Sequence, residues 1–295
     1  MTFLEQANKD KNSNGGTYVL TVAIAFVALV VGQSFSELLA NNFLGYSLAN
    51  IPNSADLNIA LALLLLPFSF LLLALILCIK FLHKRPVLSL FTTRKTFDWK
   101  RFVFAFLLWG SLMGIALIIS ILNEQDIVLQ FDATKFIPLF FVSILIMPIQ
   151  TTAEEVFFRG YLFQVFGKVL KKGWIAIILT GVLFGLLHWA NPEVAKIGDI
   201  LLVFYIGAGI FFGILTHMDD GLELGMGYHA VNNIFASIIL TNSWQSFQTD
   251  ALFIDNSPPT FGVELYLTLF ILQPLLLFVF SKVYKWKDWK KKLFL

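Results

Sequence analysis

The chain of 295 residues has a single cysteine, Cys78, so it can form no intramolecular disulfide and no cysteine-based metal cluster. Charged residues are also scarce, because Asp, Glu, Lys and Arg make up 14% of the sequence whereas a soluble domain has about a quarter. The sequence contains no Walker-type phosphate loop, no Gly-x-Ser-x-Gly motif and no His-Glu-x-x-His motif. These absences argue against a soluble domain, a P-loop nucleotidase and an acyl-enzyme hydrolase.

Hydrophobic residues make up 58% of the chain, and the mean hydropathy is +0.78. Since a helix of about 20 apolar residues crosses a bilayer, the sequence predicts eight membrane spans. The predicted spans are 17–35, 57–82, 102–122, 136–159, 174–190, 200–216, 222–240 and 262–284. The expected fold is an all-α polytopic membrane bundle of about eight transmembrane helices.

The positions of Lys and Arg predict the orientation of the bundle. They are concentrated after the second and fourth predicted spans and at the C-terminus. The alternate loops 36–56 and 241–261 have neither residue, and 123–135 is mostly acidic. We therefore expect both termini in the cytoplasm, in a bacterial plasma membrane. The basic tail is interpreted as a topology signal, with contact to anionic lipid as the alternative.

Ionisable side chains inside membrane spans are costly and mark functional sites by default. Three polar clusters lie in predicted spans: Glu154-Glu155-x-x-x-Arg159, Phe184-x-x-x-His188 and His229-x-x-x-Asn233. Carboxylate, imidazole and amide groups are those needed to activate a water molecule and stabilise an oxyanion. The clusters therefore predict a hydrolytic site within the membrane.

Helical geometry separates the two glutamates, which point about 100° apart. Glu155 and Arg159 are four residues apart, so we expect Arg159 to orient Glu155 while Glu154 faces a cavity shared with the histidines. The alternative interpretation is a charged turn at the membrane interface. His188 alone is also compatible with a hydrogen-bonded core histidine, and His229 with Asn233 is compatible with a packing pair.

Other polar residues are predicted to have no role in the site. His83 and His217 are expected on the solvated surface, Glu223 near the membrane interface, and Asn232 away from the site. Three Gly-x-x-x-Gly pairs predict close helix packing around the polar clusters. They are Gly181/Gly185, Gly209/Gly213 and Gly221/Gly225.

One geometric prediction tests the site. At about 1.5 Å per residue, His229 lies roughly 10 Å and His188 roughly 21 Å from the cytoplasmic side. The two can meet only if the fifth predicted span is tilted or begins outside the membrane. A structure that places His188 far from Glu154 and His229 would contradict the predicted active site.

Together and in this order, the three clusters resemble those of the CPBP family of CAAX proteases and bacteriocin-processing enzymes, also called the Abi family, which includes type II CAAX prenyl endopeptidases. The resemblance covers about 136–241, which is expected to be the catalytic core. It implies an intramembrane site open to the cytoplasm. In such a site Glu154 and His188 activate the water, His229 and Asn233 stabilise the oxyanion, and Glu155 and Arg159 support them.

The resemblance implies an intramembrane metalloendopeptidase that cuts a membrane-associated peptide or protein within the lipid bilayer. Zinc is one expectation, with Glu154, His188 and His229 as ligands and an open fourth position. A metal-free glutamate mechanism stays open. No nucleic-acid partner is expected. The remaining chain divides into a cytoplasmic tail (1–16), helices without a motif (17–135), and a last helix with a basic cytoplasmic tail (242–295).

A second class of function also remains open. The chain could act as a non-proteolytic membrane scaffold or regulator, for example in bacteriocin self-immunity or as a partner of a sensor kinase or of surface display. A transporter is a more distant third, because no inverted repeat is evident in the sequence. Substitution of Glu154 separates the first two, since a protease loses its function and a scaffold keeps it.

Overall fold

The computed structural model describes residues 2–12, 14–51, 56–123 and 126–294, and within them the fold is all-α. Its helices are α1 (Gly15–Leu39), α2 (Leu57–Leu77), α3 (Trp99–Asn123), α4 (Ala133–Glu155), α5 (Phe163–Leu170), α6 (Gly173–Leu187), α7 (Pro192–Ile197), α8 (Leu201–Asp219), α9 (Glu223–Ile238), α10 (Val263–Leu267), α11 (Gln273–Val283) and α12 (Trp289–Phe294). Segments of π-helix extend α1, α2, α4 and α10 at Ala40–Leu44, Cys78–Leu82, Val156–Leu162 and Thr268–Leu272. Short 3₁₀ turns occupy Leu4–Lys9, Val87–Leu90 and His188–Ala190.

In the described ranges, seven continuous helices are long and apolar enough to cross a membrane. They are Gly15–Leu44, Leu57–Leu82, Trp99–Asn123, Ala133–Leu170, Gly173–Ala190, Leu201–Asp219 and Val263–Val283. The predicted all-α membrane bundle is confirmed, and the predicted number of eight spans is close. The difference is the span 222–240, where α9 has 16 residues and is about 24 Å long, short of a hydrocarbon core of about 30 Å. Every residue of its first half is buried, so α9 runs inside the bundle.

Both ends of the described chain lie at the same end of the bundle. The backbone N–H of Phe3 donates to Asp220 (2.9 Å), and the Nε2 atom of His217 lies 2.6 Å from the carbonyl oxygen of Lys292. Arg94, from the basic loop after α2, pairs with Asp219 beside them (3.1 Å). Lys168, from the basic stretch after the fourth predicted span, donates to the carbonyl oxygen of Ala7 near the N-terminus (2.9 Å). Three basic stretches therefore share one end with both termini, and the placement of that end in the cytoplasm stays a prediction.

The opposite end carries a small sheet that the sequence did not predict. Strand β3 (Phe253–Asp255) pairs antiparallel with β1 (Ile127–Leu129) and parallel with β2 (Leu240–Asn242). The sheet ties the segment after α9 to the segment after α3. The acidic part of the 123–135 loop includes Glu124, which lies outside the described residues, as do positions 52–55 of the 36–56 loop.

Two histidines that we expected at the surface are buried, so this prediction was wrong. His83 is fully buried, with Nδ1 3.3 Å from Asp10 and Nε2 2.9 Å from Thr21. His217 is 3% exposed beneath the C-terminal helix α12. Glu223, expected near the interface, is also buried, and it pairs with Arg94 at 3.0 Å. In each case a segment distant in sequence covers the residue. The charged residues next to it in the sequence did not indicate this burial.

Close packing of α6 against α8 confirms the prediction from the first two Gly-x-x-x-Gly pairs. A Cβ atom on Gly209 would lie 2.7 Å from the carbonyl oxygen of Gly181, and one on Gly185 would lie 2.7 Å from the backbone nitrogen of Ile206. The third pair does not bring two backbones together, because the nearest atoms to Gly221 and Gly225 belong to side chains. Small residues therefore set the distance between α6 and α8.

The substitution Gly209→Ala is expected to lower the stability of the bundle by about 1–3 kcal/mol, the usual cost of overpacking. The added Cβ atom meets backbone, which cannot move aside as a side chain can. The melting temperature in detergent measures the effect. Gly114→Ala is the matched control, since a Cβ atom there has no neighbour within 4 Å. Equal melting temperatures for the two variants would contradict the close packing.

Candidate active site

A cavity of about 610 Å³ opens within the bundle, and its wall contains residues from all three polar clusters. The polar residues that line it are Gln150, Glu154, His188, Asn191, Glu193, Tyr205, Tyr228, His229, Asn232, Asn233, Gln245, Ser246 and Gln273. The rest of the wall is mainly Leu and Phe side chains. The structure therefore brings four predicted site residues to one cavity: Glu154, His188, His229 and Asn233.

The two glutamates end α4, directly before the π-helical segment Val156–Leu162. Segments of π-helix often occur at functional sites, because the extra residue in the turn changes which side chains face the interior. Pro148 lies within α4 just before them. The side chain of Glu154 is 15% exposed and lines the cavity, whereas that of Glu155 is fully buried behind it.

Glu155 connects Arg159 to His229. Its Oε1 atom accepts a hydrogen bond from Nη1 of Arg159 at 3.0 Å and lies 2.9 Å from Nδ1 of His229. Arg159 is fully buried, and its Nη2 atom donates to the carbonyl oxygen of Gly209 at 3.1 Å. The guanidinium also lies 4.4 Å from the ring centroid of Phe184. The ion pair is thus enclosed by helix backbone and aromatic rings, where truncation of either partner is costly.

This pairing fixes the ring of His229. The carboxylate of Glu155 accepts, so His229 carries a hydrogen on Nδ1 and turns its Nε2 toward Oε2 of Glu154, 3.5 Å away. A carboxylate on the far side of an imidazole sets both its orientation and its tautomer. With a second hydrogen on Nε2 the ring can donate to a developing oxyanion, and without it Nε2 can bind a cation.

His188 reaches the same cavity although it lies at the far end of its helix. Its Nδ1 atom lies 2.7 Å from the carbonyl oxygen of Phe184, so Nδ1 carries the hydrogen, and in the neutral ring Nε2 has a lone pair. The ring centroid of Phe184 is 4.6 Å from that of His188 and 6.1 Å from that of His229. Both histidines and Glu154 line one cavity, so the depths counted along the spans do not separate them.

Asn233 is held by a row of side chains, two of which sequence reasoning did not identify. Its Nδ2 atom donates to Gln150 at 3.0 Å, and its Oδ1 atom accepts from Asn232 at 3.2 Å. The indole of Trp109 donates to Asn232 at 3.2 Å. We expected Asn232 to point away, yet it lines the cavity. Gln150 lies one helical turn before Glu154, and this spacing was the available signal.

A second polar group at the cavity was also missed. Glu193 accepts from Tyr205 (2.7 Å), Asn191 (3.0 Å) and Ser246 (2.8 Å). Tyr205 in turn stacks on His188, with ring centroids 4.2 Å apart. These residues come from three separate segments and form no motif, so no sequence pattern predicted them.

The donors expected for zinc do not converge in this structure. Across the residues that the structure describes, no group of three or more His, Cys, Asp and Glu side chains is placed to hold a metal ion. The tautomers of His188 and His229 suit metal ligands, but Glu154, His188 and His229 do not form such a set. Zinc stays a prediction, and metal analysis of the purified protein, with His188→Ala as the comparison, tests it.

The fold and the cavity define a class: a polytopic helical membrane protein with carboxylate, imidazole and amide groups gathered at an internal cavity. Residues 133–235 match the family described as type II CAAX prenyl endopeptidase Rce1-like. The match covers the helices that carry all three polar clusters and confirms the resemblance inferred from them. It overlaps the predicted core, 136–241.

A curated relative matches over a longer stretch. The protein named "Uncharacterized protein YyaK" of Bacillus subtilis (strain 168) is 34% identical over 167 residues. The match covers 56% of this chain and 56% of that protein, so the chain spans about half the length of the relative that it matches. The name of this relative assigns it no activity.

Proposed function

We propose that this protein is a CAAX-type intramembrane endopeptidase that hydrolyses a peptide bond in a membrane-associated peptide or protein. One observation carries the proposal: Glu154, His188, His229 and Asn233, from three different helices, line a single cavity. The Rce1-like match over 133–235 supports the same reaction class.

In the proposed reaction, a water molecule between Glu154 and His188 attacks the carbonyl carbon of the substrate. Glu154 accepts a proton from the water, and the lone pair on Nε2 of His188 accepts a hydrogen bond that orients it. The C–N bond then breaks, and the proton passes to the leaving amine. The products are a new carboxyl terminus and a new amino terminus, with no covalent enzyme intermediate.

The oxyanion is assigned to His229 and Asn233. Glu155 fixes the ring of His229, and Gln150 fixes the amide of Asn233, so both donors are oriented before the substrate binds. Donors that need no rearrangement stabilise a developing charge most effectively, because they have no reorganisation cost. The buried pair of Arg159 and Glu155 supports this geometry without contact with the substrate.

The cavity and the membrane spans indicate the substrate class. Apolar side chains form much of the cavity wall, which suits a segment that arrives from the bilayer. We place the protein in the bacterial plasma membrane with the basic end, and thus both termini, in the cytoplasm. The clustering of Lys and Arg at that end supports this orientation.

The proposal is tested by N-terminal proteomics on membranes that contain either the wild-type protein or the Glu154→Gln variant at equal abundance. We expect new amino termini in membrane peptides or proteins with the wild type and none with Glu154→Gln. Glu264→Gln is the matched control, because Glu264 is an exposed glutamate outside the cavity lining. It is expected to give the wild-type termini.

A second outcome would select the scaffold function instead. If wild type and Glu154→Gln give the same termini, and both support the same cellular phenotype, the cavity is not a proteolytic site. If the new amino termini and the cellular phenotype are both lost in the Glu154→Gln variant and in no other, the scaffold function is ruled out.

A further inference from the structure

His188 occupies a weakly constrained position for a residue that must orient a water molecule. It lies where α6 ends and a 3₁₀ turn begins, and it is only partly buried. Residues at the ends of helices are the first to fray. The bond from Nδ1 to the carbonyl of Phe184 fixes one atom of the ring, but a single bond leaves the plane of the ring free to tilt.

Tyr205 of α8 supplies the contact that fixes the plane. Its ring lies 4.2 Å from that of His188, centroid to centroid, and the planes differ by 21°. The ring centroid of Phe184 also lies 4.6 Å from that of His188. Tyr205 lines the cavity beside His188, so its stacking acts on the residue that faces the proposed water.

Tyr205 is itself held by a buried carboxylate. Its hydroxyl donates to Oε1 of Glu193 at 2.7 Å, which is a short bond to a charged acceptor and about twice as strong as a neutral one. Glu193 also accepts from Asn191 on Oε1 and from Ser246 on Oε2. Ser246 follows β2 and Asn191 precedes α7, so Glu193 joins three separate parts of the chain.

The burial of the Glu193 carboxylate must be compensated, because a buried charge is costly unless hydrogen bonds satisfy it. Glu193 is 9% exposed and satisfies three neutral donors. Resting on the proposed function, we propose that Tyr205 is the positioning residue of His188, and that Glu193, tied to Ser246, holds Tyr205 in the stacked position. A tyrosine suits this role because its ring can stack on His188 while its hydroxyl donates to Glu193.

The first test is the kinetics of the purified protein in lipid nanodiscs, with a membrane peptide found by proteomics as substrate. We expect Tyr205→Leu to lower kcat by about 100-fold, the cost of misplacing a catalytic group by about 1 Å, with KM nearly unchanged. Tyr205→Phe keeps an aromatic ring but loses the hydrogen bond to Glu193, so it is expected to recover only part of kcat. Tyr266→Leu is the matched control, because Tyr266 is 46% exposed on α10, and it keeps the wild-type rate.

Glu193 is tested in the same assay. Glu193→Gln keeps an acceptor for the hydroxyl of Tyr205 and is expected to retain most of kcat. Glu193→Ala removes the same hydrogen bond as Tyr205→Phe, so it is expected to lower kcat as far as Tyr205→Phe does. The inference is overturned if Tyr205→Leu leaves kcat unchanged, if its effect lies in KM alone, or if Glu193→Gln loses as much as Glu193→Ala. A higher KM with an unchanged kcat would instead assign Tyr205 to substrate binding.

A second measurement needs no activity and keeps the two proposals separable. Diethyl pyrocarbonate modifies accessible imidazole nitrogens, and mass spectrometry gives the rate at each of the four histidines. In a Glu154→Gln background, we expect Tyr205→Leu to raise the rate at His188 severalfold, while His229, held by Glu155, does not change. An unchanged rate at His188 overturns the inference even if Tyr205→Leu fails in the kinetic assay through misfolding.

The two measurements together separate the failures. If no substrate is cleaved by the wild type but His188 becomes more reactive in Tyr205→Leu, the proposed function fails and the positioning contact stands. If cleavage is found and neither measurement responds to Tyr205→Leu, the proposed function stands and the positioning role fails.

Discussion

Glu154→Gln is expected to lower kcat on a membrane peptide by about 10²–10⁴-fold, the usual contribution of a positioned general base. Glutamine has nearly the shape of glutamate but cannot accept the proton of the attacking water. Glu154 is partly exposed to the cavity, and its contact with Nε2 of His229 is 3.5 Å long, so the substitution unpairs no fully buried charge. The melting temperature should therefore stay near that of the wild type. Turnover and thermal unfolding of the same purified sample measure both quantities.

The neighbouring glutamate provides the sharpest comparison. Glu155→Gln removes the acceptor charge between Arg159 and His229, so we expect a lower melting temperature as well as lower activity. Glu264→Gln, on the exposed face, should change neither quantity. Wild-type kcat in Glu154→Gln, or the same melting-temperature loss in Glu154→Gln and Glu155→Gln, would contradict the division of roles between the two carboxylates.

Arg159→Met is expected to lower the free energy of unfolding by about 3–5 kcal/mol, the cost of leaving one partner of a buried ion pair alone. Arg159 and Glu155 have no exposed side-chain surface, so water cannot take the place of the guanidinium. The loss also removes the bond to the carbonyl of Gly209, where α8 packs against α6. Thermal unfolding in detergent, followed by size-exclusion chromatography, measures the effect.

A second substitution separates stability from function. The double variant Glu155→Leu/Arg159→Met removes both charges and should recover much of the lost stability, because apolar residues can replace a buried pair. It should remain inactive, since nothing then fixes Nδ1 of His229. Lys135→Met is the control, because its pair with Asp250 is exposed and is worth about 0–1 kcal/mol. Equal losses in Arg159→Met and Lys135→Met would contradict the structural role of the buried pair.

Most of the bundle could be predicted from the sequence, because each helix in a membrane satisfies its own backbone hydrogen bonds within one segment. The helix Leu57–Leu82 has the predicted bounds, and the other predicted spans coincide with helices within a few residues, apart from three. The first helix runs on to Leu44, past its predicted end at 35. The fourth helix runs on to Leu170, past its predicted end at 159. The span 222–240 contains the short helix α9. This helix lies inside the bundle, and its Glu223 and His229 are buried.

The site was predictable only in part, and the reason lies in the range of the interactions. The pair of Glu155 and Arg159 is one helical turn apart, so the sequence indicates it directly. Tyr205 and Glu193 form no motif, because they meet His188 and Ser246 through contacts between separate segments. Gln150 had one signal, its place one helical turn before Glu154, although its partner Asn233 is distant in sequence. His83 and His217 were assigned to the surface for the same reason, because distant segments cover them.

The sequence by itself determined the class of fold and the residue types available for chemistry. Apolar runs must form helices in a bilayer, and carboxylate, imidazole and amide groups stand out within them because burial of such groups is costly. Only the tertiary structure decided which groups meet. His188 and His229 occupy different heights on their helices, yet they line one cavity, beside the close contact of α6 with α8 and the buried first half of α9. Packing distances of this kind depend on pairs of helices, so no single segment of the sequence contains them.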